Sequence, residues 1–176
     1  NHTEPYIIEK PQFYTDESTD WYTDKESFNE NLRNEREIPN EWKTVIPGKA
    51  RGRLIGGNID NFSLLYGNPY CPAVRKGDIL FLENINENAD SFERYISSLY
   101  THGIFKKISG LILGKPKGYK DIGSGKSETD ILSEIVGKPE FPILADVDCG
   151  HTVPIITLPI GAEIEIDSDK KAIKIL

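Results

Sequence analysis

The stretch ILFLENINE, Ile79 to Glu87, runs through four apolar residues and then stops on a carboxylate, Glu83. A carboxylate at the carboxyl end of a buried strand stands where an α/β sheet gathers its functional groups. The stretch LADVDCGHTVPIITLPIG, Leu144 to Gly161, carries His151 directly after Gly150 and shortly before Pro154. Histidine is the usual general base near neutral pH, and a loop after a buried strand is where a sheet presents one. Each residue also has a plainer reading. Glu83 could be a solvated turn acid or a cap, Glu87 a loop charge, and His151 a turn histidine bonded to backbone. The other histidines have weaker settings: His2 lies in the leading tail, and His102 falls in the last turn of an amphipathic segment, where the helix dipole accounts for it.

Rival chemistries find less support. GSGKS, Gly123 to Ser127, imitates the end of a phosphate loop, but that motif needs a glycine five positions before Gly125, where Lys120 stands. It reads as a flexible loop leading into a helix cap. Asp146, Asp148 and His151 could face a metal ion, yet no second histidine is nearby and the spacing matches no familiar ligand set. Cys149 with His151 suggests a thiol peptidase, but a nucleophile and base separated by one glycine are seldom aimed at each other. No serine sits in a GxSxG elbow. Neither a metal nor a cofactor is expected.

The elements that must position Glu83 and His151 are legible from Trp42 onward. KTVI and ARGRLIGG carry strand signals. Asn58 then caps a short helix, IDNFSLLYG, whose Ile59, Phe62 and Leu65 or Tyr66 recur at helical spacing before Gly67 ends it. DILFLE is a buried strand. In DSFERYISSLYTHG, Phe92, Tyr95, Ile96 and Leu99 form one helical face, with Asp90 as the expected N-cap and Gly103 as the stop. KISGLILG is another strand, SETDILSEIVG another capped helix, and FPILADV a third buried strand. This alternation predicts a largely parallel sheet with crossover helices, whose strand carboxyl ends form the functional edge. AEIEID, an SDK turn and KAIKIL alternate with period two, which predicts an antiparallel hairpin with one wet face. The expected class is α/β: a mostly parallel sheet with crossover helices, plus an antiparallel layer and a C-terminal hairpin.

Composition bounds the function. A chain of 176 residues, 38% hydrophobic and 28% charged, can bury one well-formed core and a smaller appendage. Its apolar runs fall far short of the roughly 18 residues a membrane helix needs, so no membrane is expected. The first residues lack the basic and then apolar character of a signal peptide. Cys71 and Cys149 form no CxxC pair and read as reduced thiols, so a cytoplasmic protein is expected. The net charge of −7 sits entirely in residues 1–41, which hold 11 acids and 4 bases, while the rest holds 17 of each. Without a basic stripe, a nucleic-acid polymer is not an expected partner. The acidic stretch from Pro11 to Trp42 has poor periodicity, yet holds Phe13, Tyr14, Trp21, Tyr22, Phe28 and Trp42. It reads as an arm that packs on something, including surface that the chain itself does not supply. The expected division is an arm over residues 1–42 and a domain over residues 43–176.

GRLIGGNIDNFSLLYGNPY, GDILFLENINENADSFERYISSLYTHGIFKKISGLILGKP and FPILADVDCGHTVPIITLPIGAEIEID together resemble the C-terminal domain of the LD-carboxypeptidase family of serine peptidases. The match runs in order over nearly the whole chain. The arm FYTDESTDWYTD is similar to the family's microcin C self-immunity branch. The resemblance implies a swivelling β/β/α fold and a Ser-Glu-His triad, with Glu83 at the end of ILFLE and His151 in the GHT loop taking the last two roles. The triad serine would belong to an N-terminal nucleophile domain, which has no counterpart here. The chain is therefore expected to be a C-terminal portion, beginning near the interdomain linker and inert alone. One branch of the family cleaves the L,D peptide bond of a murein tetrapeptide. The immunity branch hydrolyses the amide joining an aminoacyl group to a nucleotide moiety. The arm's aromatics favour an aminoacyl- or peptidyl-nucleotide over a muropeptide, because an indole stacks on a base. Trp21 is the candidate for that contact, and docking of the arm is its plainer role. A homodimer is compatible with this reading, and a non-catalytic binding module that keeps the fold and the ligand surface is the alternative.

Overall fold

The computed structural model of this chain describes residues 4–16 and 38–176. At the amino end β1 (Tyr6–Ile7), β2 (Phe13–Tyr14) and β3 (Ile38–Pro39) are short strands. β4 (Lys43–Ile46) and β5 (Lys49–Asn58) follow where the strand signals stand. Asn58 ends β5 and caps α1 (Ile59–Leu65) by accepting the Asn61 N–H at 3.2 Å. β6 (Ile79–Glu83), β7 (Gly110–Gly114) and β8 (Ile143–Val147) bury almost every residue, as strands covered on both faces do. Helices α2 (Ala89–Thr101) and α3 (Glu128–Val136) make the crossovers between them. β9 (Glu163–Asp167) and β10 (Ala172–Ile175) form the C-terminal hairpin.

The strands join in the order β1-β10-β9-β5-β6-β7-β8-β4, with β5 to β8 parallel and the remaining pairs antiparallel. β5 links the two regimes, because Lys49 to Arg53 pair with β9 while Leu54 to Asn58 pair with β6. Period-two alternation then sends side chains into two cores. Ile55, Leu80, Leu82, Leu111 and Leu113 meet Phe92, Ile96, Leu99 and Leu132 of the helices. Leu54, Ile79, Phe81, Ile112 and Leu144 meet Ile164, Ile166 and Ile173 of the hairpin on the other face. The result is the mixed class read from the sequence, with the antiparallel hairpin covering one side of the parallel strands and helices the other. Each fully buried Leu or Ile contributes roughly 1.5–3 kcal/mol, so the carboxyl ends of β6 and β8 are rigidly based.

The structure departs from the sequence reading in particulars. The N-cap of α2 is Asn88, whose side chain accepts the Ser91 N–H at 2.9 Å, and Asp90 lies inside the first turn, where it still favours the dipole. On α1, Tyr66 packs on the core and Leu65 is exposed. Trp42, read as the last residue of the arm, is fully buried among the hairpin-side core residues. β1 adds to the sheet beside β10. Trp21 lies outside the described residues. No helix among the described residues is long and apolar enough to cross a membrane.

Candidate active site

β6 delivers Glu83 with its side chain 9% exposed, and β8 runs on into the loop carrying His151, whose side chain is 42% exposed. His151 Nδ1 stands 2.7 Å from Glu83 Oε2. An Nδ1–H that donates to this carboxylate leaves Nε2 with its lone pair, the state of a ring ready to accept a proton. Glu83 is thus a buried acid with a defined partner, and His151 is bonded to a carboxylate. The two belong to strands separated by β7, and small residues let them meet. A Cβ on Gly114 of β7 would come within 2.7 Å of the Glu83 Cβ. One on Gly150 would come within 3.2 Å of Glu83 Oε2 and 3.3 Å of the Lys115 carbonyl oxygen.

Beside this pair is a buried polar cluster that sequence spacing did not reveal. Asp148 is fully buried, and its Oδ2 accepts Asn40 Nδ2 at 2.6 Å and Trp42 Nε1 at 2.7 Å. Lys115 Nζ makes an ion pair with Asp148 Oδ1 at 3.3 Å, without the alignment of a hydrogen bond, and donates to Asn40 Oδ1. The same ammonium lies 3.9 Å from the centre of the Tyr14 ring, a cation–π contact. Asp148 and His151 therefore face different partners and do not converge on a shared ion. Among the described residues no group of three or more His, Cys, Asp or Glu is placed to hold a metal. Burial, reinforced by the charges of Glu83 and Asp148, pushes the Cys149 thiol far above its ordinary value, and its Sγ donates to the Val147 carbonyl at 3.5 Å. A thiol held protonated in this way is no nucleophile.

The residue after Glu83 has its own anchor. Asn84 Nδ2 donates at 2.6 Å to Oε1 of Glu128, the first residue of α3, and both side chains are buried. Burial pushes the Glu128 carboxyl up to about 8, aided by the charges of Asp146 and Glu87 and opposed by the Asn84 bond. Glu128 Oε2 and Asn84 Oδ1 are buried without hydrogen-bond partners among the described residues. Ser127 and Asp130 form a capping box ahead of α3, and Lys126 pairs with Glu134 at 2.6 Å, so GSGKS does serve as a loop into a helix cap. His102 caps the end of α2, its Nδ1 2.7 Å from the Ser98 carbonyl oxygen.

Known proteins share this sequence pattern and this fold. The family model of the LD-carboxypeptidase C-terminal domain matches residues 51–166. The microcin C7 self-immunity protein MccF of Escherichia coli is 35% identical over 172 residues, covering 97% of this chain and 48% of that protein. A Bacillus subtilis protein named "Probable murein peptide carboxypeptidase" is 28% identical over 129 residues, covering 72% of this chain and 40% of that protein. The solved structure of MccF in complex with glutamyl sulfamoyl guanosine is similar at a TM-score of 0.89 and 34% identity, over 99% of this chain and 51% of that one. A MccF-like protein from Bacillus anthracis is similar at 0.77 and 34% identity, over 98% of this chain and 51% of that one. The chain spans about half the length of the curated relatives it matches. With a matched segment that contains both Glu83 and His151, the chain belongs to the family of LD-carboxypeptidase C-terminal domains.

Proposed function

We propose that this chain is the C-terminal part of a serine carboxypeptidase-like hydrolase in which His151 is the general base and Glu83 its orienting carboxylate. The nucleophilic serine comes from an N-terminal domain of the same protein, and the chain alone is inert. The observation that carries this reading is the 2.7 Å contact between a buried acid and a half-exposed imidazole at the carboxyl ends of parallel strands. In the assembled protein His151 Nε2 takes the serine proton as the hydroxyl oxygen attacks the amide carbonyl, then returns it to the leaving amine. Glu83 holds the Nδ1–H tautomer and stabilises the imidazolium that forms in between. A sheet suits this task, since an orienting group that moves by about 1 Å costs on the order of 10²-fold in rate.

The substrate is an aminoacyl- or peptidyl-nucleotide amide, as in immunity to microcin C. This is supported by the Escherichia coli relative, a self-immunity protein whose structures hold glutamyl sulfamoyl guanosine and aspartyl sulfamoyl adenosine. A murein L,D peptide is the second reading, favoured by the name of the Bacillus subtilis relative. The two are separated by measuring hydrolysis of an aminoacyl sulfamoyl adenosine beside that of an L,D-tetrapeptide, with the full-length protein and with this chain alone. The full-length protein is expected to cleave the nucleotide amide, to lose that activity on His151→Ala, and the isolated chain to cleave neither. Cleavage of the tetrapeptide alone would move the protein to the murein branch. Turnover that survives His151→Ala would overturn the triad, and tight binding without turnover would leave a binding module.

A further inference from the structure

The loop of His151 is held on both flanks by the arm. On its amino side the buried Asp148 carboxylate receives Asn40 and Trp42 at 2.6 and 2.7 Å, with the Lys115 ammonium 3.3 Å away. On its carboxyl side Val153 exchanges backbone bonds with Thr15, at 2.8 and 2.9 Å. Lys115 ties these supports to the Glu83–His151 pair. Its backbone N–H bonds to the Val147 carbonyl at 2.7 Å, its own carbonyl packs on Gly150, and its Nζ lies over the ring of Tyr14, next to Thr15. Asn40 also donates to the Pro11 carbonyl at 2.9 Å. Residues of the arm and the histidine loop therefore form one hydrogen-bonded unit.

Stability alone does not explain an ion pair at this place. Desolvation of two charges offsets most of their attraction, and well-packed apolar groups of similar volume often do as well or better. What the charges add is direction, because a carboxylate fixed by two hydrogen-bond donors and a facing ammonium leaves few orientations for the loop that follows it. We propose that Lys115 and Asp148 are positioning residues for His151: with Asn40, Trp42 and the Thr15 bridge they hold the loop so that Nδ1 meets Glu83, which makes the imidazole's placement depend on the arm. This rests on the reading of His151 as the general base.

The Nδ1–H proton of His151 reports on that placement by NMR, through its slow exchange and its coupling to Nδ1. Glu83→Gln is the control. Loss of the signal assigns it to the pair, whereas its persistence would refute the pair itself and with it the reading beneath this inference. Lys115→Met combined with Asp148→Leu then replaces the ion pair by apolar groups. The expected result is a chain that still unfolds cooperatively, at a lower temperature because Asn40 and Trp42 lose their acceptor, with loss of the Nδ1–H signal and a roughly 10²-fold lower kcat in the full-length protein, KM little changed. A pair that only supports the fold would lower the unfolding temperature and leave the signal and kcat intact, and that result overturns the proposal. If the double variant does not fold, Thr15→Pro deletes one donor of the bridge to Val153 and carries the same test: a lost signal supports coupling to the arm, and a retained one overturns it.

Discussion

Replacing Glu128 by Gln should change how stability depends on pH, by an amount that follows from burial. Glu128 is 3% exposed, and burial moves its carboxyl from an ordinary 4.5 up to about 8. Below pH 4.5 the folded and unfolded chains both hold the proton, so the acid imposes no penalty. Between there and about 8 the unfolded chain has released the proton and the folded chain has not, so the unfolded state gains and stability falls as pH rises. The loss is about 1.36 kcal/mol per pH unit and levels off once the folded chain also ionises, at a total on the order of 5 kcal/mol. Gln is neutral throughout and has an Nε2–H to offer to buried acceptors such as Asn84 Oδ1. Urea unfolding of parent and variant at about pH 5 and about pH 8 measures the effect, and the gap in favour of Glu128→Gln is expected to widen by roughly 4 kcal/mol. Parallel curves for the two proteins would show that the folded chain accommodates a charged Glu128, and would refute the reasoning.

Gly114→Ala would place a methyl 2.7 Å from the Glu83 Cβ, closer than real contacts allow, so the end of β6 must shift. Stability should fall by about 1–3 kcal/mol and the His151–Glu83 bond should be lost from the NMR spectrum; a variant that keeps both would show that the strand end can yield. Asp78 accepts from Arg53 at 2.7 and 3.1 Å and from the Arg75 N–H at 2.7 Å. Burial pushes this acid up, but those donors hold it below its ordinary 3.8. Its stabilisation is therefore present above that value and lost as pH falls through the lower folded one. Asp78→Asn should destabilise by roughly 3 kcal/mol at neutral pH and by much less under acid unfolding conditions, and an equal cost at both would contradict the assignment.

The candidate pair was legible because its two residues stand at the ends of locally recognisable strands. The apolar run of β6 ending in Glu83, and the glycine before His151 on the loop after β8, marked both residues before any coordinates, because parallel strands announce themselves as unbroken apolar runs. Asn58 and the Phe92, Ile96 and Leu99 face of α2 were equally plain, since caps and helical periodicity are local. The cluster of Asn40, Trp42, Lys115 and Asp148 was not, as its members lie up to 108 positions apart and only the fold joins them. Trp42 looked like part of the arm because the residues before it lack periodicity, yet its indole N–H finds a buried carboxylate. Glu128 was not singled out, because in sequence it is one of two acids in the first turn of α3; only the fold brings Asn84 to its carboxyl from another crossover.

The most direct measurement is kcat for the full-length protein carrying Glu83→Gln, a change that keeps shape and removes the charge facing His151 Nδ1. The account predicts a fall on the order of 10⁴-fold with the fold intact, as expected when an imidazole loses the carboxylate that sets its tautomer. Turnover within about tenfold of the parent would contradict it, because the 2.7 Å contact would then hold the loop without serving the reaction.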